Sequence, residues 1–151
     1  MAKIATFDSI NKPLISIKFT GCNVTQDGFT EFINNWNQCD EDKSEYNFFF
    51  DVSKGIGFPN IRYVIGIAGF IMRKKKEPKI YLKHSIIYIT SSTSRTMLRL
   101  VFNLSSPIAP VYIISSLDGI EIINTYIETY IDQHNTYPKT IPYNDVLVFM
   151  P

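Results

Sequence analysis

Two polar stretches rich in small residues each follow a hydrophobic run, and both have residue types that could do chemistry. The first is DVSKGIG, residues 51–57, with Asp51, Ser53, Gly55 and Gly57. Backbone N–H groups of a glycine turn that leads into a helix can hold an anion. This stretch matches neither GxGxxG nor GxxxxGK[ST], the patterns typical of nucleotide sites. It is therefore either a tight structural turn or a ligand site of another kind, and Asp51 is either a turn acceptor or a base.

The second polar stretch is TSSTSRT, residues 90–96. Its hydroxyls, including Ser92 and Ser94, and the guanidinium of Arg95 could bind phosphate at the positive end of a helix, or the hydroxyls could be phosphorylated. The alternative is a structural role in turn formation and helix capping, with Ser94 as the N-cap. Both interpretations place these residues at the start of a helix.

The remaining reactive side chains form no recognisable set. His84 and His134 are isolated from each other and from both polar stretches. Cys22 and Cys39 make neither a CxxC pair nor a Cys/His cluster, which excludes the usual zinc spacings and favours structural thiols over a disulfide. We therefore expect no metal, no cofactor and no catalytic activity.

The first third of the chain predicts a hairpin, a helix and a strand. Two β-like runs flank the turn residues Ser9 to Pro13. After Thr25, apolar residues recur at the spacing of one face of a helix: Phe29, Phe32, Ile33 and Trp36. The next run, YNFFFDV, does not alternate between apolar and polar residues, which predicts a strand covered on both faces. Pro59 then suits the first turn of a second helix, which RKKK closes.

The strand and helix cycle then repeats twice. HSIIYIT precedes the second polar stretch and its helix, and APVYIIS precedes a helix for which Asp118 and Glu121 have the spacing of a capping box. The order ββαβαβαβα predicts an α/β fold with a mixed, mostly parallel sheet and helices on its faces. We expect one domain over residues 1–131 and a tail over 132–151 that adds an edge strand, clasps the core or binds a partner.

The carboxyl ends of parallel strands meet at one edge of the sheet, where open α/β sheets bind ligands. Both polar stretches follow strands, so we expect them to lie at this edge together. This edge is the predicted ligand or partner site, and its candidate residues are Asp51, Ser53, Gly55, Gly57, Asn60, Ser92, Ser94 and Arg95.

Composition limits the class of protein. A chain of 151 residues with 45% hydrophobic and 19% charged residues can build one domain with a large core. A net charge of +1 provides no global field for nucleic acid, so a nucleic-acid partner is not expected. No apolar run approaches the roughly 18 residues of a membrane span. The start, MAKIATFDSI, lacks an apolar signal core, and we expect a cytoplasmic protein.

One basic cluster stands out against this balanced composition. It is either a solvated helix end and loop or a polybasic patch that could lie on an anionic membrane surface. No groove-reading helix accompanies the charges, as one often does in nucleic-acid sites. Its members are Arg73, Lys74, Lys75, Lys76, Lys79 and Lys83.

Two family resemblances follow from these patterns. The order ββαβαβαβα, with FFFDVSKGIGFPNI as its apolar strand, aspartate, turn and helix start, resembles a STAS domain, the fold of bacterial anti-sigma-factor antagonists. The stretch YLKHSIIYITSSTSRTMLRLVFNLSSPIAPVYIIS resembles the C-terminal half of a CRAL-TRIO lipid-transfer domain. The isoleucine-rich and asparagine-rich character is similar to that of short proteins of large DNA viruses with this fold, for which the location is the host cytoplasm.

The resemblances imply two functions. A STAS-like chain is expected to be a non-catalytic interaction or regulatory module that acts through a protein partner or a homodimer. STAS antagonists carry a phosphorylatable serine or threonine at the start of the helix after the aspartate strand, where this chain has Asn60, and Ser53 is a less well matched substitute. A CRAL-TRIO-like chain is instead expected to bind a lipid or another hydrophobic ligand.

Overall fold

The order of strands and helices in the computed structural model begins with the predicted ββαβαβαβα and ends with one further strand. The structure describes residues 3–57, 61–143 and 145–151. Its elements are β1 (Ala5–Asp8), β2 (Leu14–Phe19), α1 (Gln26–Gln38), β3 (Tyr46–Val52), α2 (Ile61–Lys75), β4 (Leu82–Ile89), α3 (Ser92–Leu104), β5 (Val111–Ile114), α4 (Ile120–His134) and β6 (Leu147–Phe149).

All six strands belong to one sheet, and they lie side by side in the order of the sequence. Strands β2 to β5 are parallel, whereas β1 and β6 pair antiparallel at the two edges. One row of partners crosses the parallel strands through Ile17, Phe50, Ile87 and Ile113. The predicted α/β class with a mixed, mostly parallel sheet is confirmed.

The first face of the sheet carries the larger core. Parallel strands in sequential order, joined by crossovers of one hand, place their connecting helices on the same side. Helices α1, α2 and α3 accordingly share one hydrophobic cluster with alternate residues of the strands. Trp36 of α1 lies at its centre, with ring centroids 5.1 Å from Phe48, 6.1 Å from Phe50 and 5.2 Å from Phe70.

The second face of the sheet is covered at one end. Ile123 and Ile127 of α4 pack on Tyr112 and Ile114 of β5. The segment after α4 closes the same side, since the Tyr112 hydroxyl donates to the Pro138 carbonyl at 2.9 Å. Helix α4 therefore covers β4 and β5 and only borders β2 and β3.

The prediction that β3 is covered on both faces is wrong. Burial alternates along the strand: Phe48 and Phe50 are buried on the first face, while Asn47, Phe49 and Asp51 are half-buried on the second. The run of three phenylalanines hides this alternation, because the middle one is an apolar residue on the partly covered face.

Helix starts differ from their predictions in two of three cases. Helix α1 begins directly after Thr25 as expected, and the Thr25 hydroxyl caps it by accepting from Gly28 N at 3.1 Å. Helix α3 is capped by Ser91 rather than by Ser94, because the Ser91 hydroxyl accepts from Ser94 N at 3.2 Å. Helix α4 begins after Gly119, whose φ of 80° is left-handed, and no side chain caps it. The predicted start at Pro59 lies outside the described residues.

The alternation in β3 predicts unequal costs for truncating neighbouring phenylalanines. Phe48→Ala is expected to lower the free energy of unfolding by about 3–5 kcal/mol, because it empties a fully buried site against Trp36. Phe49→Ala is expected to cost about 1–2 kcal/mol, since that side chain is only half-buried. Urea unfolding followed by Trp36 fluorescence measures both, and equal costs would contradict the two-faced assignment.

Candidate functional site

The two polar stretches meet at the carboxyl edge of the sheet. The Thr90 hydroxyl donates to the Ser53 carbonyl at 3.0 Å. The Ser94 hydroxyl is buried and accepts from Ile56 N at 3.3 Å. The structure therefore joins the loop after β3 to the start of α3, and it uses the polar groups of both to do so.

Backbone geometry explains the two glycines of this edge. Gly55 has a φ of 85°, a left-handed conformation that side chains rarely adopt. A Cβ on Gly57 would lie 2.8 Å from the Cys22 carbonyl oxygen, because Val24 N donates to the Gly57 carbonyl at 2.7 Å and draws the two loops together. Asn60 lies outside the described residues.

Asp51 accepts a hydrogen bond within its own turn. Its carboxylate takes one from Ser53 N at 3.0 Å. Partial burial alone would raise the pKa of Asp51, but the hydrogen bonds from Ser53 and the nearby Lys18 and Lys54 together lower it. Of the predicted edge residues in the described part of the chain, Ser53 and Ser92 are exposed and Arg95 is half-buried.

The predicted basic cluster does not form one solvated patch, and Lys74 is its clearest exception. Lys74 is only 8% exposed, and its ammonium donates to Asp40 and lies 3.0 Å from Glu77 Oε1. The Tyr46 hydroxyl donates to the same Asp40 carboxylate at 2.6 Å. Burial opposes the charged amine, but the hydrogen bonds to Asp40 and Glu77 outweigh it and raise the pKa of Lys74.

The other members of the cluster separate as well. Lys75 donates to Ser106, which follows α3. Lys83 forms an ion pair with Glu45 at 3.1 Å, and the Lys79 ammonium lies 5.8 Å from the Tyr81 ring centroid. Arg73 and Lys76 are exposed at the end of α2. Only part of the cluster therefore contributes to an open surface.

That open surface extends over two helices and is basic and apolar at once. Helix α2 has four arginines and lysines, helix α3 has two, and neither contains an acidic residue. We call this surface the basic face. Its exposed large apolar residues are Ile61, Ile65, Met72, Leu100 and Leu104, and its exposed cationic residues are Arg62, Arg73, Lys76 and Arg99.

The apolar residues of the basic face converge on the seam between α2 and α3. On α2 they lie on the side away from Gly66, the residue that faces Phe29 of α1. On α3, Leu100 and Leu104 lie on the side away from Phe102, whose ring is 5.0 Å from Phe149 of β6. Both sets therefore lie on the sides of their helices toward the neighbouring helix, and we call them together the apolar strip.

Helix α4, on the opposite side of the sheet, has the opposite charge. It contains Glu121, Glu128 and Asp132 and no lysine or arginine. At 100° per residue these three acids fall on one stripe of the helix. Beside the stripe is a shallow depression lined by Ile122, Tyr126 and Tyr143, together with Glu121, Thr125 and Thr129. We call this surface the acidic face.

A groove of about 380 Å³ separates α4 from the open end of the second face. Its polar lining comes from the side chains of Ser16, Asn47, His84, Asn124 and Glu128, none of which was predicted as a site residue. The Asn47 Oδ1 atom is buried without a hydrogen-bond partner among the described residues. Asn47, Phe49 and Asp51 alternate with the buried residues of β3 and lie on the second face. The polar residues Asn47 and Asp51 at this spacing are the signal that could have indicated Asn47, but the apolar Phe49 between them obscures it.

His84 lies in this groove as a neutral imidazole. Burial lowers its pKa to about 4. Its Nδ1 atom is 3.0 Å from the Tyr137 hydroxyl, which belongs to the segment after α4. The sequence interpretation of His84 as an isolated residue missed this contact, because Tyr137 is 53 positions away.

The hydrophobic core contains a small, partly open apolar cavity of about 90 Å³. Side chains of all three first-face helices line it, including Phe29, Ile71 and Val101. An engineered apolar cavity of about 150 Å³ accommodates a benzene molecule. The cavity in this core is smaller than that engineered site.

Clusters of metal ligands and membrane-spanning helices are both absent from the described part of the chain. Residues 3–57, 61–143 and 145–151 contain no group of three or more His, Cys, Asp or Glu side chains that could hold a metal ion. None of the described helices has the length and hydropathy to cross a bilayer. Cys22 and Cys39 are free thiols, and burial, with the nearby Asp40 carboxylate, raises the pKa of Cys39 to about 11.

Comparison of the chain with family models, curated proteins and solved structures finds no match.

The burial of Lys74 predicts that two adjacent lysines differ in importance for folding. Lys74→Met is expected to lower the free energy of unfolding by about 1–3 kcal/mol, because it leaves the Asp40 carboxylate partly buried without its cation. Lys76→Met is the matched control, and a change within about 0.5 kcal/mol is expected at this exposed site. Chemical denaturation measures both, and a Lys74 variant as stable as the control would contradict the structural ion pair.

The lowered pKa of His84 predicts a loss of stability in mild acid. Between pH 6.5 and about 4 the unfolded chain binds a proton at this histidine that the folded chain does not, so stability falls as the pH is lowered. The shift corresponds to about 3 kcal/mol at most. Urea unfolding at pH 7 and at pH 4.5 is expected to show a smaller loss in His84→Gln than in the wild type.

A second variant separates burial from hydrogen bonding as the cause. Tyr137→Phe removes the hydroxyl next to Nδ1 and keeps the ring that covers His84. Because burial lowers the pKa, this variant is expected to keep the wild-type pH dependence. If its pH dependence instead matches that of His84→Gln, burial is not the cause.

Proposed function

We propose that this protein is a non-catalytic protein-interaction module with a STAS-like fold, and that its working surface is the basic face. The observation that carries the proposal is the exposed apolar strip along the seam of α2 and α3, which is bordered by cations on two helices that contain no acidic residue. Large exposed apolar patches with polar rims are typical of sites that bind other proteins.

The chemistry of the basic face indicates the class of partner. The apolar strip would pack against an apolar ridge on the partner. The cations would favour a partner in which acidic residues surround that ridge. An acidic amphipathic helix presents both features along one line. We infer that the partner contributes a surface of that kind.

The carboxyl edge supports a non-catalytic role. Ser94, Thr90 and Asp51 make hydrogen bonds that hold loops and a turn together. Ser91 caps a helix. These hydrogen bonds give the side chains a structural role at this edge, and we assign them no part in a reaction.

The alternative, a CRAL-TRIO-like binder of lipid, has less support. The core cavity of about 90 Å³ is smaller than a benzene site. The groove on the second face is larger, at about 380 Å³, but its lining mixes six apolar residues with five polar side chains. An acyl chain would leave those polar groups without partners.

Binding of a defined peptide probe tests the proposal. The probe is a fluorescent helical peptide of glutamate, leucine and alanine, with leucines at i, i+3, i+4 and i+7. We expect it to bind the wild-type protein at low salt in fluorescence anisotropy, and to bind the Ile65→Asn, Leu100→Asn double variant at least about tenfold more weakly, because both changes interrupt the strip. The same peptide with lysine in place of glutamate is expected not to bind.

The matched control is Leu117→Asn, a change at another exposed leucine outside the basic face, and it is expected to leave peptide binding unchanged. Phosphatidylserine vesicles are tested in parallel. Binding to vesicles but not to the acidic peptide would replace the interaction module with a membrane-surface role. Equal binding of both peptides would also contradict the proposal.

A further inference from the structure

We propose that the acidic partner surface is the acidic face of a second copy of this chain, so that copies associate head to tail. The inference rests on the proposed function of the basic face and names its partner. Both surfaces belong to the same chain, both are partly apolar, and their charges are opposite. The basic face has cations beside an apolar strip on α2 and α3, and the acidic face has carboxylates beside an apolar depression on α4.

Charge complementarity selects this pairing over the symmetric one. Two copies that met through their basic faces would oppose rows of arginines and lysines, and two acidic faces would oppose rows of carboxylates. Like charges across an interface exclude a partner, whereas opposite charges steer encounter and set register. The basic face of one copy therefore fits the acidic face of another.

The apolar parts of the two faces provide the attraction that exposed ion pairs do not. Exposed ion pairs contribute little to affinity, usually less than about 1 kcal/mol each. On the basic face, Ile61, Ile65 and Leu104 are more than half exposed, at 64%, 56% and 54%. On the acidic face Ile122 is 57% and Tyr143 is 40% exposed. Association would remove these side chains from water.

The two faces lie on opposite sides of the sheet, which determines the kind of assembly. Helices α2 and α3 belong to the cluster on the first face, and α4 belongs to the cluster on the second. A copy bound through its basic face leaves its own acidic face open to a third copy. Such a heterologous contact produces rings or open chains rather than a closed pair.

Paired charge-reversal variants test the head-to-tail contact. The first variant, Glu121→Lys with Asp132→Lys, reverses two charges of the acidic face. The second, Arg73→Glu with Arg99→Glu, reverses two charges of the basic face. All four side chains are exposed, and Glu41→Lys is a control reversal in a loop outside both faces.

Sedimentation velocity measures the assemblies from about 10 µM to about 500 µM, the range for small polar interfaces. The wild type and Glu41→Lys are expected to form species larger than a dimer, less so at about 0.5 M salt. Each double variant alone is expected to remain monomeric. An equimolar mixture of the two is expected to form species larger than a dimer again, because the intact basic face of the first variant meets the intact acidic face of the second, and the two reversed faces carry opposite charges.

Three results would overturn the inference. They are a wild type that stays monomeric, a wild type that stops at a dimer, and a double variant that, measured alone, still forms species larger than a dimer. The peptide experiment separates these results from failure of the proposed function. A monomeric chain that binds the acidic peptide through the strip would retain an interaction module with a different partner, whereas loss of both activities would reject the module as well.

Discussion

The sequential order of the parallel strands is the constraint on which the rest of this structure depends. Since β2 to β5 lie in sequence order, their three connecting helices share one face of the sheet. The second face is left to α4 and the segment after it, and one helix cannot cover six strands. The deep aromatic core around Trp36, the groove beside α4 and the half-buried position of Phe49 all follow from this unequal division of helices.

The same division explains why a nearly neutral chain has two charged surfaces. Helices α2 and α3 lie side by side on the first face, so the cations of both add to one surface. Helix α4 lies alone on the other side, and its three carboxylates meet no lysine or arginine of its own helix. The net charge of +1 sums over both surfaces and hides their difference. The charges of a chain indicate its interaction surfaces only when the side of the sheet on which each helix lies is known.

Local patterns in the sequence predicted the elements, whereas contacts between distant residues decided the sites. The spacing of Phe29, Phe32 and Trp36 suffices for α1, because an amphipathic helix is encoded within a few turns. In the sequence Lys74 belongs to a run of charges that is typical of a solvated surface. In the structure it contacts Asp40, which lies 34 positions earlier in the chain. His84 likewise depends on Tyr137. The caps of α3 and α4 were mispredicted by a few residues, which is the usual uncertainty of helix ends.

The polar residues at the carboxyl edge show why motif-like composition is a weak guide to function in α/β folds. A loop between a strand and a helix must turn sharply, satisfy the first N–H groups of the helix and pass close to its neighbours. Gly55, Gly57, Ser91 and Ser94 meet these three demands. Glycine, serine and aspartate are also the residues that hold anions, so the two uses look alike in sequence. Only the hydrogen bonds distinguish them, and at this edge they join one loop to the next.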